Sequence, residues 1–122
     1  MQVIVVEPKK KPMVQDIDAG LESMQRIVGG SIQAIYPFDE PVALICNEEG
    51  KLLDLPLNRA LRDDEGSVYD IISGTFFLCA APPDSDRFEG LTERQVKTYM
   101  ERFATPEMFL KVDGDLFVLP YL

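Results

Sequence analysis

At 122 residues, with 46% hydrophobic and 27% charged residues, the chain has the make-up of a folded globular protein, which excludes intrinsic disorder. Its formal charge of −9 disfavours direct nucleic-acid binding, and its lack of histidine removes the commonest general base and transition-metal ligand. One domain over residues 1–122 is expected, because a chain of this length buries roughly two-thirds of its unfolded surface and holds a core unaided.

The charge is unevenly placed. Residues 1–38 carry four acids and four bases, residues 39–83 nine and three, and residues 84–122 eight and five, so two-thirds of the net charge lies in the centre. Glu48, Glu49, Asp63, Asp64 and Glu65 fall in turns of that stretch. They form a candidate acidic surface, either a solvated face that maintains solubility or a docking face for a basic partner.

Val3-Ile4-Val5-Val6 is a β-branched run of the kind that forms a buried strand, and Glu7-Pro8 ends it. Lys9-Lys10-Lys11-Pro12 reads as an exposed turn, with Met13 to Ile17 returning as a second strand. Asp18 is a candidate cap for a helix starting near Ala19. Ile17, Leu21, Met24 and Val28 make one apolar stripe, and Gly29-Gly30 stops the helix. Ser31 to Tyr36 alternates as a strand; Val42 to Cys46 is apolar on both faces, as in the middle of a sheet.

Asn47-Glu48-Glu49-Gly50 is a turn signal, with Gly50 free to take a positive φ and Lys51-Leu52-Leu53 starting a returning arm. After Pro56, Leu57 to Leu61 has the look of a single helical turn. Asp63-Asp64-Glu65-Gly66 is a further turn, and Val68 to Ile72 fits either a strand or a short helix. Gly74 marks a bend before a strong strand, Thr75 to Ala80. A second helix is announced by Thr92 and Gln95 as a capping box, with Leu91 and Val96 at the staple positions and a stripe of Val96, Tyr99, Met100 and Phe103. Thr105-Pro106 ends it, and Asp113-Gly114 joins Met108–Val112 to Asp115–Leu119 as a hairpin. The fold class that follows is α+β, a mostly antiparallel sheet with two amphipathic helices packed on it.

No segment carries a catalytic motif. Cys46 and Cys79 each sit in an apolar run and read as buried, reduced thiols, and no signal peptide precedes them, so a cytoplasmic setting is expected. Two separated cysteines without histidine do not make a zinc site. Asp84-x-Asp86 opens like a calcium loop, but Phe88 takes the next ligand position and Glu89 stands where glycine is required. No metal, cofactor or membrane contact is therefore expected. Asn58, Arg59 and Arg62 are the one polar cluster worth nominating. An arginine fork beside an amide binds a carboxylate or phosphate, and the same arginines can equally pair with Asp54, Asp63, Asp64 or Asp70 and hold the fold together.

Several segments taken together carry a family likeness. They are Glu22-Ser23-Met24-Gln25, Ile27-Val28-Gly29-Gly30, Ile45-Cys46-Asn47-Glu48-Glu49-Gly50-Lys51-Leu52, Pro56-Leu57-Asn58-Arg59 and Asp70-Ile71-Ile72-Ser73-Gly74-Thr75-Phe76-Phe77. They resemble a family of small uncharacterised proteins, a domain of unknown function, found in Gram-positive gut bacteria, their phages and their conjugative elements. The likeness weakens after Ala80. It implies a mobile-element setting and brings no catalytic residues with it.

Three functional expectations follow, the third being a minor enzyme with a carboxylate catalyst, for which no substrate can be named. In the first, the chain is a small acidic cytoplasmic accessory protein of a mobile genetic element. It binds a host or element protein through its acidic surface and interferes with host defence, and imitation of DNA is one version of this. Imitation requires the acids to form one continuous exposed stripe. In the second, Asn58, Arg59 and Arg62 line a site for a small anion, which requires a concave surface and free guanidinium groups.

Overall fold

The computed structural model describes residues 1–122. Its centre is a five-stranded antiparallel sheet built from β1 (Gln2–Val6), β2 (Met13–Asp16), β3 (Ile32–Ile35), β4 (Val42–Asn47) and β7 (Phe76–Ala80). The spatial order is β2-β1-β7-β4-β3. β4 and β7 are buried at every position, and each has a neighbour on both sides, which is why their sequences are apolar runs without alternation. The α+β class expected from the sequence holds, with two short helices and nine strands.

The helices lie on opposite faces of this sheet. α1 (Leu21–Val28) packs Met24 and Val28 against Val3, Val5, Ala43, Ile45, Phe77 and Cys79. α2 (Glu93–Arg102) lies on the other face, where Tyr99 and the following Phe103 meet Ile4, Val6, Leu44, Phe76 and Leu78. The alternation along each strand thus serves two cores at once. Cys46 belongs to the second core and Cys79 to the first, and both are free thiols.

The capping box of α2 forms as read. The Thr92 hydroxyl accepts from the Gln95 amide at 3.1 Å, and the Gln95 side chain accepts from the Thr92 amide at 2.9 Å. The start of α1 differs from expectation. Its N-cap is Gly20, with no side-chain cap, so Asp18 lies two residues too early to serve. The helix instead draws its stability from the apolar stripe, and it stops at Gly29 in the left-handed conformation.

The central stretch departs most from the sequence reading. Leu57 to Leu61 is no helical turn: Leu57–Arg62 is strand β5, paired antiparallel with β6 (Val68–Ser73) in a separate two-stranded ribbon. Register shifts at both ends of β5, together with burial of Asn58 to Leu61 on both faces, erase the period-two pattern that marks a half-buried strand. Lys51 to Leu53 is a turn rather than a returning arm, and Leu52 is 85% exposed. Gly50 keeps a negative φ; its role is closeness, since a Cβ there would lie 2.8 Å from the Ser73 carbonyl oxygen.

The remaining strands, β8 (Glu107–Val112) and β9 (Asp115–Pro120), make a third small sheet. Asp113 and Gly114 both take positive φ, 51° and 86°, as a two-residue type I′ loop demands. No helix is long and apolar enough to cross a membrane.

Candidate functional site

The nominated polar cluster sits where β5, the end of α2 and the start of β8 meet. The bulge between Leu57 and Arg59 turns Asn58 off the ribbon and toward the main sheet. Its side-chain amide donates to the carbonyls of Val6 at 2.8 Å and Gly74 at 2.9 Å, closing the exits of β1 and β6. Asn58 is completely buried.

Arg59 is 1% exposed and has no carboxylate within ion-pairing distance. Its guanidinium is instead wrapped in carbonyl oxygens. Nη1 donates to Asn58 Oδ1 at 2.9 Å, and Nη2 donates to Lys10 O at 2.7 Å and Phe103 O at 3.2 Å. Phe103 caps the C-terminal end of α2, where exposed carbonyls favour a cation. Burial lowers the Arg59 pKa and the charge of Glu107 opposes that shift. Nε is buried without a partner. Arg59 therefore pins three separate segments, the β1–β2 turn, β5 and the end of α2.

Arg62 points outward to Glu107, with Nη2 2.6 Å from Oε2. The other carboxylate oxygen of Glu107 accepts from the Ala60 amide at 2.9 Å. One acid thus satisfies a buried backbone donor of β5 and is the only charged partner of Arg62. None of the acids near Arg62 in sequence takes this role. Asp70 pairs with Lys51 at 2.8 Å, and Asp63 accepts from the amides of Glu65 and Ser67 to shape the ribbon's tip. Glu107 lies 45 residues from Arg62 along the chain, and no local signal marks it.

Beside this knot is a cleft of about 380 Å³ whose walls include Arg59, Arg62, Asp64, Tyr69, Arg102 and Glu107. Its three guanidinium groups are all engaged: Arg59 by carbonyls, Arg62 by Glu107, and Arg102 over the Phe38 ring at 4.9 Å. Asn58 turns away from it, toward Val6 and Gly74. The three nominated residues are neighbours, but Asn58 and Arg59 direct their hydrogen bonds into the chain itself, and Arg62 holds Glu107 through Nη2 alone.

The nominated acids form two groups. Glu48 and Glu49 adjoin Gly50, which lies against Ser73 at one end of the β5–β6 ribbon. Asp63, Asp64 and Glu65 form the tip at the other end, roughly 20 Å away for strands of this length. All five are exposed and none is ion-paired, yet they do not make one stripe.

A second surface was not nominated from the sequence. Leu110, Val112, Leu116, Phe117 and Leu119 on β8 and β9 are each 40–51% exposed. Cross-strand partners share a face, so Met108, Leu119, Leu110, Phe117 and Val112 make one continuous apolar face. Phe109, Val118 and Leu116 occupy the other. The sequence signal was available: both strands are apolar at successive positions, as interior strands are, but these have no third strand beside them.

A family model described as a domain of unknown function (DUF3846) matches residues 1–104. The chain belongs to that family. No curated protein and no solved structure matches it. The DUF3846 segment holds the main sheet, both helices and the β5–β6 ribbon, whereas β8 and β9 follow it. Glu107 is accordingly the clasp between the family segment and the apolar hairpin.

Proposed function

We propose that the protein is a non-enzymatic binding module that acts by docking another protein chain through the β8–β9 hairpin. The carrying observation is the continuous apolar face of Leu110, Val112, Phe117 and Leu119, exposed in water on a hairpin with no covering layer. The rim of that face bears Asp113 and Asp115, which favours a partner with compensating basic groups and keeps the module from binding indiscriminately. The accessory role in a mobile element, with interference in host defence as its purpose, draws on the resemblance in sequence to small proteins of mobile elements and on the acidic balance of the chain. The small-anion reading has less support, because the fork of Arg59 is closed by carbonyls.

Photo-crosslinking tests the reading directly. A photoreactive phenylalanine analogue at Phe117 should give covalent adducts with protein chains on irradiation in the producing cell. The same analogue at Tyr69, 56% exposed on β6, serves as the control. Equal adduct yields at the two positions would overturn the proposal.

A further inference from the structure

The exposed apolar face of the hairpin carries opposite charges at its two ends. Tyr121 donates its amide to Pro106 O at 2.7 Å, which extends the β8–β9 register one pair beyond Glu107 and Pro120. Tyr121 therefore shares a face with Leu119, Phe117, Leu110 and Val112, and all five are 40–51% exposed. At the hairpin tip this face ends in Asp115, opposite Val112, with Asp113 in the turn beside it. At the other end Lys9 lies over the Tyr121 ring, 5.7 Å from its centroid. There the face opens into a cavity of about 740 Å³ whose walls include Lys9, Lys11, Pro12, Met100, Pro106 and Tyr121. No acidic side chain lines that cavity. Neither lysine has a carboxylate within ion-pairing distance, and Asp113 and Asp115 have no basic partner.

The basic end is also held in place. Arg59 Nη2 donates to Lys10 O at 2.7 Å and to Phe103 O at 3.2 Å. One guanidinium thus fixes both walls of the cavity, the lysine turn and the end of α2. Walls fixed before a partner arrives lower the ordering cost of binding.

We infer that the docked chain presents an amphipathic helix, acidic at the end over Lys9 and Lys11 and basic at the end beside Asp113 and Asp115. This rests on the reading of the hairpin as a docking surface and names the chemistry of its occupant. From Asp115 to Tyr121 the face runs roughly 20 Å, the length of a helix of about 13 residues. Two strands side by side span roughly 10 Å, one helix diameter, and a helix is the layer that covers an apolar sheet face of that width. A strand added at the β9 edge would leave the face bare. A second copy would bring another charge of −9, and an anionic lipid surface would meet the same repulsion. The two charged ends set the direction in which the helix lies.

Fluorescence anisotropy with a labelled peptide of about 14 residues provides the test. Its termini are blocked, a leucine stripe runs along one side, three glutamates occupy the first turn and three lysines the last. A comparator of the same composition alternates glutamate and lysine along the polar side. The bipolar peptide should bind at least tenfold tighter than the comparator at 50 mM salt, gain helical circular dichroism on binding, and lose most of its advantage at 500 mM. Amide shifts should fall on Lys11, Leu110, Phe117 and Tyr121. Lys9→Glu with Lys11→Glu should weaken the bipolar peptide at least tenfold and give preference to a peptide with lysines in both terminal turns. Both lysines are exposed, so the doubly substituted chain stays folded. Equal binding of the two peptides would overturn the polarity, and binding without helix gain would overturn the helix. No binding of either peptide, with photo-crosslinks still concentrated at Phe117 over Tyr69, would overturn the helix and leave the docking surface standing. No binding with equal crosslinks at the two positions would overturn both. Displacement of the peptide by phosphatidylcholine vesicles, or self-association of the free chain through the same face, would assign the face to a lipid surface or a second copy and overturn the inference.

Discussion

The Asn58–Arg59 knot and the β8–β9 hairpin invert the usual expectation of where polar and apolar side chains go. The knot puts an amide and a guanidinium in the interior, each 1% exposed or less. The hairpin leaves five large apolar side chains 40–51% exposed. The knot is internally complete apart from Arg59 Nε, and its polar groups are spent on carbonyls of four segments. The hairpin is incomplete, with one open edge and an open face. A buried polar cluster whose hydrogen bonds are satisfied is a fastening, whereas an exposed apolar face without a covering layer is where a partner gains by docking.

Alkali should affect the whole molecule and so sets the scale for the comparison. Burial pushes the Cys79 thiol from 9.0 up to about 12, and burial first, then the charge of Glu40, pushes Tyr99 from 10.0 up to about 12. Their folded pKa values lie above the unfolded ones, so the stability they contribute is complete below pH 9. It is lost as pH rises toward 12. Denaturant titrations between pH 8 and 11.5 should show a monotonic fall, approaching about 4 kcal/mol at the alkaline limit for Cys79. Cys79→Ala should flatten the first part of that slope.

Breaking the knot should have the next largest effect. Arg59→Ala leaves the carbonyls of Lys10 and Phe103 without their donor and opens a cavity, at a cost of about 3 kcal/mol in chemical denaturation. Arg59→Lys should recover only a small part of it, because one ammonium does not reproduce the fork. If Arg59→Ala were instead stable and merely lost binding of a small anion such as phosphate, the contrast between fastening and docking surface would fail.

Glu107→Ala should cost about 2 kcal/mol, since it orphans the Ala60 amide and frees a partly exposed Arg62. It should also raise amide exchange throughout β8 and β9 relative to the main sheet, because Glu107 joins the hairpin to β5. Equal exchange rates before and after the substitution would show that the hairpin is held by other contacts.

The smallest stability changes belong to exposed turns and the apolar face. Asp63→Ala removes two tip hydrogen bonds and should cost about 0.5–1 kcal/mol. Leu110→Ser with Phe117→Ser should change monomer stability by no more than about 0.5 kcal/mol while raising solubility, as measured by the onset of light scattering on concentration. A large loss of stability from that pair would mean that the face is packed rather than open.

Much of the fold was legible in the residues. Val3–Val6, Val42–Cys46 and Thr75–Ala80 are apolar runs flanked by turn residues, and each is a strand of the main sheet. Thr92 with Gln95 marked the start of the second helix to the residue, because a capping box is a local hydrogen-bond arrangement. Asp113-Gly114 marked its hairpin because few other pairs accept two positive φ values. β5 was not legible, since its burial on both faces comes from neighbours distant in sequence and its bulges scramble the alternation. Asn58, Arg59 and Arg62 stand close together along the chain, but their partners Val6, Lys10, Phe103 and Glu107 are tertiary.

The sequence by itself determined the elements whose signals are local: the apolar runs, the capped helix, the type I′ loop, the charge balance and the absence of histidine. Those depend on a residue and its near neighbours, through backbone dihedrals, capping hydrogen bonds and side-chain period. Only the tertiary structure decided which polar groups are fastenings and which apolar groups are surface. That distinction depends on what lies across a gap from each side chain. For Arg59 it is a ring of carbonyls from segments more than 40 residues away, and for Phe117 it is water.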